Sequence, residues 1–166
     1  MRFRFVLALA LLIVACSSSR NAAASTRSDD RGKKSLMDTH RKEVVESATA
    51  LVGSRYRYGG TTPQGGFDCS GFTSYVMQHN GLSVPRTSSA QAHSGRTITA
   101  DKAQPGDLVF FGKGKHVDHV AIVVKSNRNC LQIVHSSSSG GVRIDDVLHS
   151  AYWKKRMLHA VDMSSL

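Results

Sequence analysis

Cys69 stands between an acid and a hydroxyl in the stretch Phe67-Asp68-Cys69-Ser70-Gly71-Phe72. A thiol in that setting has four readings: a buried structural cysteine, half of a disulfide, a metal ligand, or a nucleophile. The last requires a thiolate and a base. The run that follows, to His79, has helical character, which puts Cys69 in the first turn of a helix. Unpaired backbone N–H groups and the helix dipole favour a thiolate there and can also donate to an oxyanion. A histidine must then reach the sulfur. Of the eight histidines, His119 begins a strand-like run and His135 ends the next one. With a turn inside residues 125–130 the two strands are antiparallel, and both histidines come to the same end of the hairpin. A two-residue loop at Asn127-Arg128 pairs His119 with Ser136; a three-residue loop over Ser126 to Arg128 pairs it with His135. One imidazole then serves as base and acid while the other fixes its orientation. The plainer reading is two strand-end histidines without a role.

A metal is the competing chemistry. His116 and His119 lie three apart, and Cys69, Cys130 and His135 add donors. The pair sits at a strand entry rather than on a helix face, and the chain has no CxxC or HExxH. No metal and no cofactor are expected. Cys130 follows a turn and opens a strand, which reads as a partly buried free thiol.

These residues need elements to position them. Val44, Val45, Ala48, Leu51 and Val52 recur at helical spacing and Gly53 suits the stop, which predicts a first amphipathic helix. Residues 56–66 hold five glycines or prolines and read as a loop. A second helix runs from about Cys69 to His79, stopped by Asn80-Gly81. Ser88 to Gln91 fits a capping box and a short third helix. The period then changes. Leu108 to Phe111, His119 to Val124, Leu131 to His135 and Val142 to Ile144 read as strands, with a turn at Gly112 to Lys115, and Trp153 to Val161 closes the sheet. Helices followed by hairpin-linked strands mean an α+β fold with an antiparallel sheet.

At 166 residues and 40% apolar content the chain has room for one domain of ordinary size. Its N-terminus is set apart. Arg2 and Arg4 precede an unbroken apolar run, Val6 to Ala15, too short to span a bilayer and suited to a secretion signal. The run ends Ile13-Val14-Ala15-Cys16, which resembles the bacterial lipobox. That resemblance implies cleavage before Cys16, acylation of its sulfur, and membrane attachment without a spanning helix. Residues 1–15 are thus expected to be a lipoprotein signal peptide, 16–35 an acylated cysteine and flexible tether, and 36–166 the folded domain. The chain carries a formal net charge of +10. In an exported protein this points to an anionic wall or lipid surface, and nucleic acid is not expected as a partner.

The blocks YRYGG, FDCSGF, VPRTSSAQ, PGDLVFF, HVAIVV and VHSSSSGGV, in that order over about Ala48 to Trp153, resemble the NlpC/p60-type cell-wall cysteine peptidases, nearest their small Gram-negative lipoprotein members. The resemblance implies a papain-like fold, with a cysteine-bearing helix packed on an antiparallel sheet bearing histidines. It implies Cys69 as nucleophile, His119 as general base and His135 as orienting residue. It implies Tyr56 as a substrate contact and oxyanion helper, and Asp68 and Ser70 as pocket residues for the amino end of a stem peptide. Arg86 matches a recurring arginine, structural or substrate-facing. His116 is a second candidate base. The function so implied is a lipid-anchored murein endopeptidase of the cell envelope, placed at the outer membrane facing the periplasm. Its substrate is the peptidoglycan stem peptides or cross-links. The alternatives are a non-catalytic wall-binding lipoprotein on the same fold, or a related amidase or acyltransferase.

Overall fold

The computed structural model describes residues 20–165. The leader expected at residues 1–15 and the acylation site Cys16 lie outside the described residues. The chain divides into two units, Met1–Ser35 and Leu36–Leu166. Helix α1 runs Arg20–Thr49, so residues 20–35 are helical where the sequence suggested an irregular tether. Alanine, arginine and lysine are strong helix formers, and no proline interrupts them. Residues 30–36 are nonetheless exposed. Among the described residues no helix is long and apolar enough to cross a membrane.

In the second unit, α1 buries Val44 and Ala48. The helix stops at Thr49, earlier than the apolar spacing implied, so Val52 falls in the following turn and is exposed. Gly53, at φ 93°, makes that turn, and its N–H donates to Val142 O at 2.8 Å. The glycine-rich loop contains a two-stranded ribbon, β1 (Thr61–Thr62) with β2 (Gly66–Phe67). Helix α2 covers Cys69–His79, as the sequence indicated, and ends at Asn80. Helix α3 is the single turn Ser88–Gln91. Its cap is Thr87, whose side chain accepts from Ala90 N at 3.3 Å. Gln91 does not close a capping box. Its amide is buried and joins Thr73, Ser74, Ser70 O and Pro85 O, tying α3 to α2.

Strands β3 (Arg96–Ile98), β4 (Leu108–Lys113), β5 (His116–Asn127), β6 (Cys130–Ser137), β7 (Gly141–Asp146) and β8 (Met157–Asp162) form one sheet in the order β3-β8-β4-β5-β6-β7. Every neighbouring pair in it is antiparallel. The turn expected at Gly112 to Lys115 is tighter, because both flanking strands run longer than their apolar cores. Trp153 is not in the closing strand; it lies on helix α4 (Ala151–Arg156), which precedes β8.

The strands are buried on both faces. Leu108, Phe110, Val120, Ile122 and Val134 pack with Phe72, Val76 and Met77 of α2. Val109, Phe111, Ala121, Val123 and Ile133 form a second layer that includes Trp153. This explains why β4 and β5 read as near-continuous apolar runs rather than alternating ones. The β5–β6 hairpin turns at Arg128-Asn129, with Asn127 opposite Cys130. Its register then steps: Lys125 faces Gln132, but Val123 faces Ile133, so Val124 is an extra, bulged residue.

Candidate active site

Asp68 is the N-cap of α2 and accepts from Gly71 N at 2.6 Å, which sets Cys69 in the first turn. The helix start is pressed against the glycine-rich loop. A Cβ on Gly71 would lie 2.0 Å from Gly60 O, so this close approach requires a glycine. Asp68 also accepts from Gly59 N at 2.9 Å. Arg86 donates to both of its carboxylate oxygens, at 3.1 and 2.6 Å, and to Ser70 Oγ at 3.0 Å. Asp68, Ser70 and Arg86, three residues singled out from the sequence, thus form one hydrogen-bonded cluster beside Cys69. Burial opposes the charge on Asp68, but Arg86 and the N–H of Gly71 outweigh it and hold the carboxyl below its ordinary range.

Cys69 is a half-buried free thiol. Burial pushes it up, and the charge of Asp68 adds to that. The N–H groups of Val120, Ser70 and Cys69 itself favour the thiolate without overcoming burial. The resting group is therefore a thiol, not the thiolate that a helix N-terminus alone suggests. Tyr56 forms a backbone bridge with Phe67. Its phenol is pushed up by burial first, then by the proximity of the acidic groups Cys69 and Asp68, which places it at the same site.

The contact of Cys69 with Val120 N–H places its sulfur beside the residue that follows His119. His119 Nε2 lies 2.9 Å from His135 Nδ1. Neither loop considered from the sequence is present. Counting from the pair Ile122↔Val134, His119 faces Ser137, and His135 is its diagonal neighbour on the same face. His135 is fully buried, and its Nε2 lies 3.0 Å from Asp145 Oδ2. Trp153 Nε1 donates to the same oxygen at 3.0 Å, and Arg143 Nε donates to Asp145 Oδ1 at 3.0 Å. Trp153 also stacks on His119, with ring centroids 4.9 Å apart and planes at 26°.

Burial, then His135 and Arg156, lowers His119 to about 3. Burial lowers His135 too, with Asp145 pulling the other way. Both rings are neutral at neutral pH. A cleft of about 450 Å³ opens beside His119, lined also by Ser137, Arg143, Asp145, Tyr152 and Trp153. Its lining is mostly polar.

His116 is exposed and paired across from Lys113, away from this array. Cys130 is a free thiol at the turn end of the hairpin, next to Asp146. Asp145, Arg143 and the indole of Trp153 were not found from sequence. Asp145 is an acid on a polar strand segment, and no spacing links it to a histidine ten residues earlier.

Residues 53–162 match the model of the NlpC/P60 family. Over 166 residues the chain is 32% identical to the murein DD-endopeptidase MepS/murein LD-carboxypeptidase of Escherichia coli K12, covering 90% of this chain and 85% of that protein. It is 41% identical over 112 residues to a probable endopeptidase p60 of Listeria innocua, covering 68% of this chain and 22% of that protein. The chain thus spans about a fifth of the length of the Listeria relatives it matches. Among solved structures, the NlpC/p60 domain of the peptidoglycan hydrolase SagA superposes with a TM-score of 0.63 at 32% identity. That match covers 74% of this chain and 98% of the domain.

Proposed function

The chain belongs to the NlpC/P60 family, and we propose that it is a lipid-anchored murein endopeptidase, hydrolysing peptide bonds in peptidoglycan stem peptides or cross-links by a Cys-His-His mechanism. The observation that carries this reading is the sulfur of Cys69 at the start of α2, held against the Val120 N–H one residue after a histidine whose ring is tied to a second histidine. Its relatives are named endopeptidases, one of them a murein DD-endopeptidase.

In this mechanism His119 takes the proton of the Cys69 thiol as sulfur attacks the scissile carbonyl. The new S–C bond gives a tetrahedral oxyanion, which backbone N–H groups at the start of α2 and the Tyr56 hydroxyl stabilise. His119 returns the proton to the leaving amine as the C–N bond breaks, leaving a thioester. Water then gives a proton to His119, adds to the thioester, and releases the acid and the thiol. Asp68 and Ser70 bind the amino end of the stem peptide, and Arg86 holds both in place. No metal and no cofactor enter this mechanism.

The proposed address is the outer membrane facing the periplasm, through acyl chains on Cys16. Its support is the apolar run ending Ile13-Val14-Ala15-Cys16 and the basic charge of the chain.

Purified sacculi digested with detergent-solubilised protein, analysed by mass spectrometry of the muropeptides, test the activity. A new free amine within the stem peptide or cross-link is expected. Identical profiles from wild type and Cys69→Ala would sink the reading, and a freed intact stem or a transferred acyl group would replace it with an amidase or acyltransferase. Incorporation of labelled palmitate, lost in Cys16→Ala, tests the anchor separately.

A further inference from the structure

The hydrogen bonds around Asp145 define a direction for every proton in the histidine array. We propose that Asp145 is a positioning residue that acts through His135 to set the tautomer of His119, leaving Nδ1 of His119 as the lone pair that accepts the Cys69 proton. The inference rests on the peptidase reading above and adds a residue and a protonation order to it.

A carboxylate only accepts. Asp145 Oδ2 receives Trp153 Nε1–H at 3.0 Å, and indole nitrogen only donates. Its Oδ1 receives Arg143, from Nε at 3.0 Å and from the second guanidinium nitrogen at 2.7 Å. With both oxygens engaged by obligate donors, the acid is ionised. Burial opposes that charge, and the bonds from His135, Trp153 and Arg143 outweigh it.

His135 Nε2, 3.0 Å from Oδ2, must therefore carry its hydrogen. A neutral imidazole with Nε2–H has a bare Nδ1. That bare nitrogen lies 2.9 Å from His119 Nε2, so His119 donates from Nε2. A neutral His119 with Nε2–H in turn has a bare Nδ1. Reversing any one bond puts two hydrogens, or two lone pairs, face to face.

No proton travels along the chain. The thiol hydrogen moves from Sγ to Nδ1 of His119, giving thiolate and imidazolium. The imidazolium keeps its Nε2–H bond to His135, and Asp145 stays ionised and stabilises the new positive charge. The other charged groups facing the array are Arg143 on β7 and Arg156 on α4 with its partner Asp118 on β5. The two arginines disfavour an imidazolium. Asp145, in contact with His135, is the anion that favours it.

The test has a readout that does not depend on turnover. Long-range ¹H–¹⁵N correlation spectra of the solubilised full chain, labelled at histidine, report the tautomer of each ring. Both His119 and His135 are expected as Nε2–H. An Nδ1–H pattern for His119 overturns the proposal whatever the activity proves to be, and this measurement needs no variant to fold.

Kinetics on a soluble stem peptide give the second arm. Asp145→Asn is expected to lower kcat by about 10²-fold with KM little changed, the lower end of what proton-transfer catalysis contributes. Loss of the anion also moves the acidic limb of kcat/KM to lower pH, since His119 then binds a proton less readily. Asp145→Glu is expected to recover most of kcat and the limb. Equal losses in the two variants with an unshifted limb are what a merely structural residue gives, and they overturn the proposal. Failure of the peptidase reading is a different result: activity absent in wild type or unchanged in Cys69→Ala.

Discussion

Arg86 holds Asp68 through both carboxylate oxygens while the same guanidinium donates to Ser70 Oγ at 3.0 Å. One side chain thus spans the two residues that flank the nucleophile. A lysine cannot reproduce a fork of this kind. Arg86→Lys is expected to raise KM for a stem peptide about tenfold, which is ~1.4 kcal/mol of binding, with a smaller change in kcat. Asp68→Ala differs, because it also removes the cap of α2, and should cost ~1 kcal/mol or more in folding stability. Steady-state kinetics and urea denaturation of the two variants separate the roles.

Trp153 is the one tryptophan of the chain, and it stacks on His119. Imidazolium quenches indole fluorescence and neutral imidazole does so much less, so Trp153 is a built-in reporter. Because His119 is lowered to about 3, emission should stay flat as pH falls from 8 to about 5, with no step near the ordinary histidine value of ~6.5. The linkage has the same sign. A buried neutral histidine favours the fold above the unfolded value, and that contribution is lost as pH falls through 6.5 toward 3. A quench centred near 6.5 that vanishes in His119→Gln would contradict this picture.

Arg41 on α1 donates to Asp107 at 2.7 Å and to Asp162 at 2.8 Å, joining the helix to the start of β4 and the end of β8. Removing Arg41 takes the cation from the buried carboxylate of Asp107, so Arg41→Ala should cost ~3–5 kcal/mol in urea denaturation. Asp162 adds a pH dependence. Burial opposes its charge, but bonds from Ser164 and Arg96 and the charge of Arg41 lower it to about 2. That stabilisation is present above the ordinary carboxylate value and is lost as pH falls from ~4 toward 2. Asp162→Asn should flatten this part of the acid unfolding curve.

Gly71 lies within the nucleophile motif but its constraint is steric. An alanine there would drive its Cβ into Gly60 O. Gly71→Ala should therefore cost ~1–3 kcal/mol and displace the loop that carries Tyr56. Thiol alkylation of Cys69 should become faster as the pocket loosens, while peptide hydrolysis falls. Unchanged activity and an unchanged alkylation rate would show that the loop accommodates the methyl group freely.

Much of this architecture is legible in the residues. Helix α2 is bounded by Asp68 and Asn80, both strong local signals, and its limits follow from them. The apolar runs locate β4, β5 and β6. Local signals fail where partners come from far along the chain. Gln91 looks like half of a capping box, yet its amide serves α2 instead, because the buried carbonyls of Ser70 and Pro85 need donors. Trp153 reads as strand, yet it sits on a short helix that brings its indole over His119. Asp145 is invisible to any spacing rule, since its three donors come from β6, β7 and α4.

The bulge at Val124 decides more than local twist. Side chains on a strand alternate faces, so which face a residue takes depends on whether its count from a paired position is odd or even. Had the pairing of Asn127 with Cys130 continued without a step, Ile122 would face His135 and the two histidines would fall on opposite sides of the sheet. The one supernumerary residue changes that parity and lets the rings meet. A single-residue deletion there would keep every functional side chain in the sequence and disassemble the array, so the length of this strand is as much a determinant of the site as the histidines themselves.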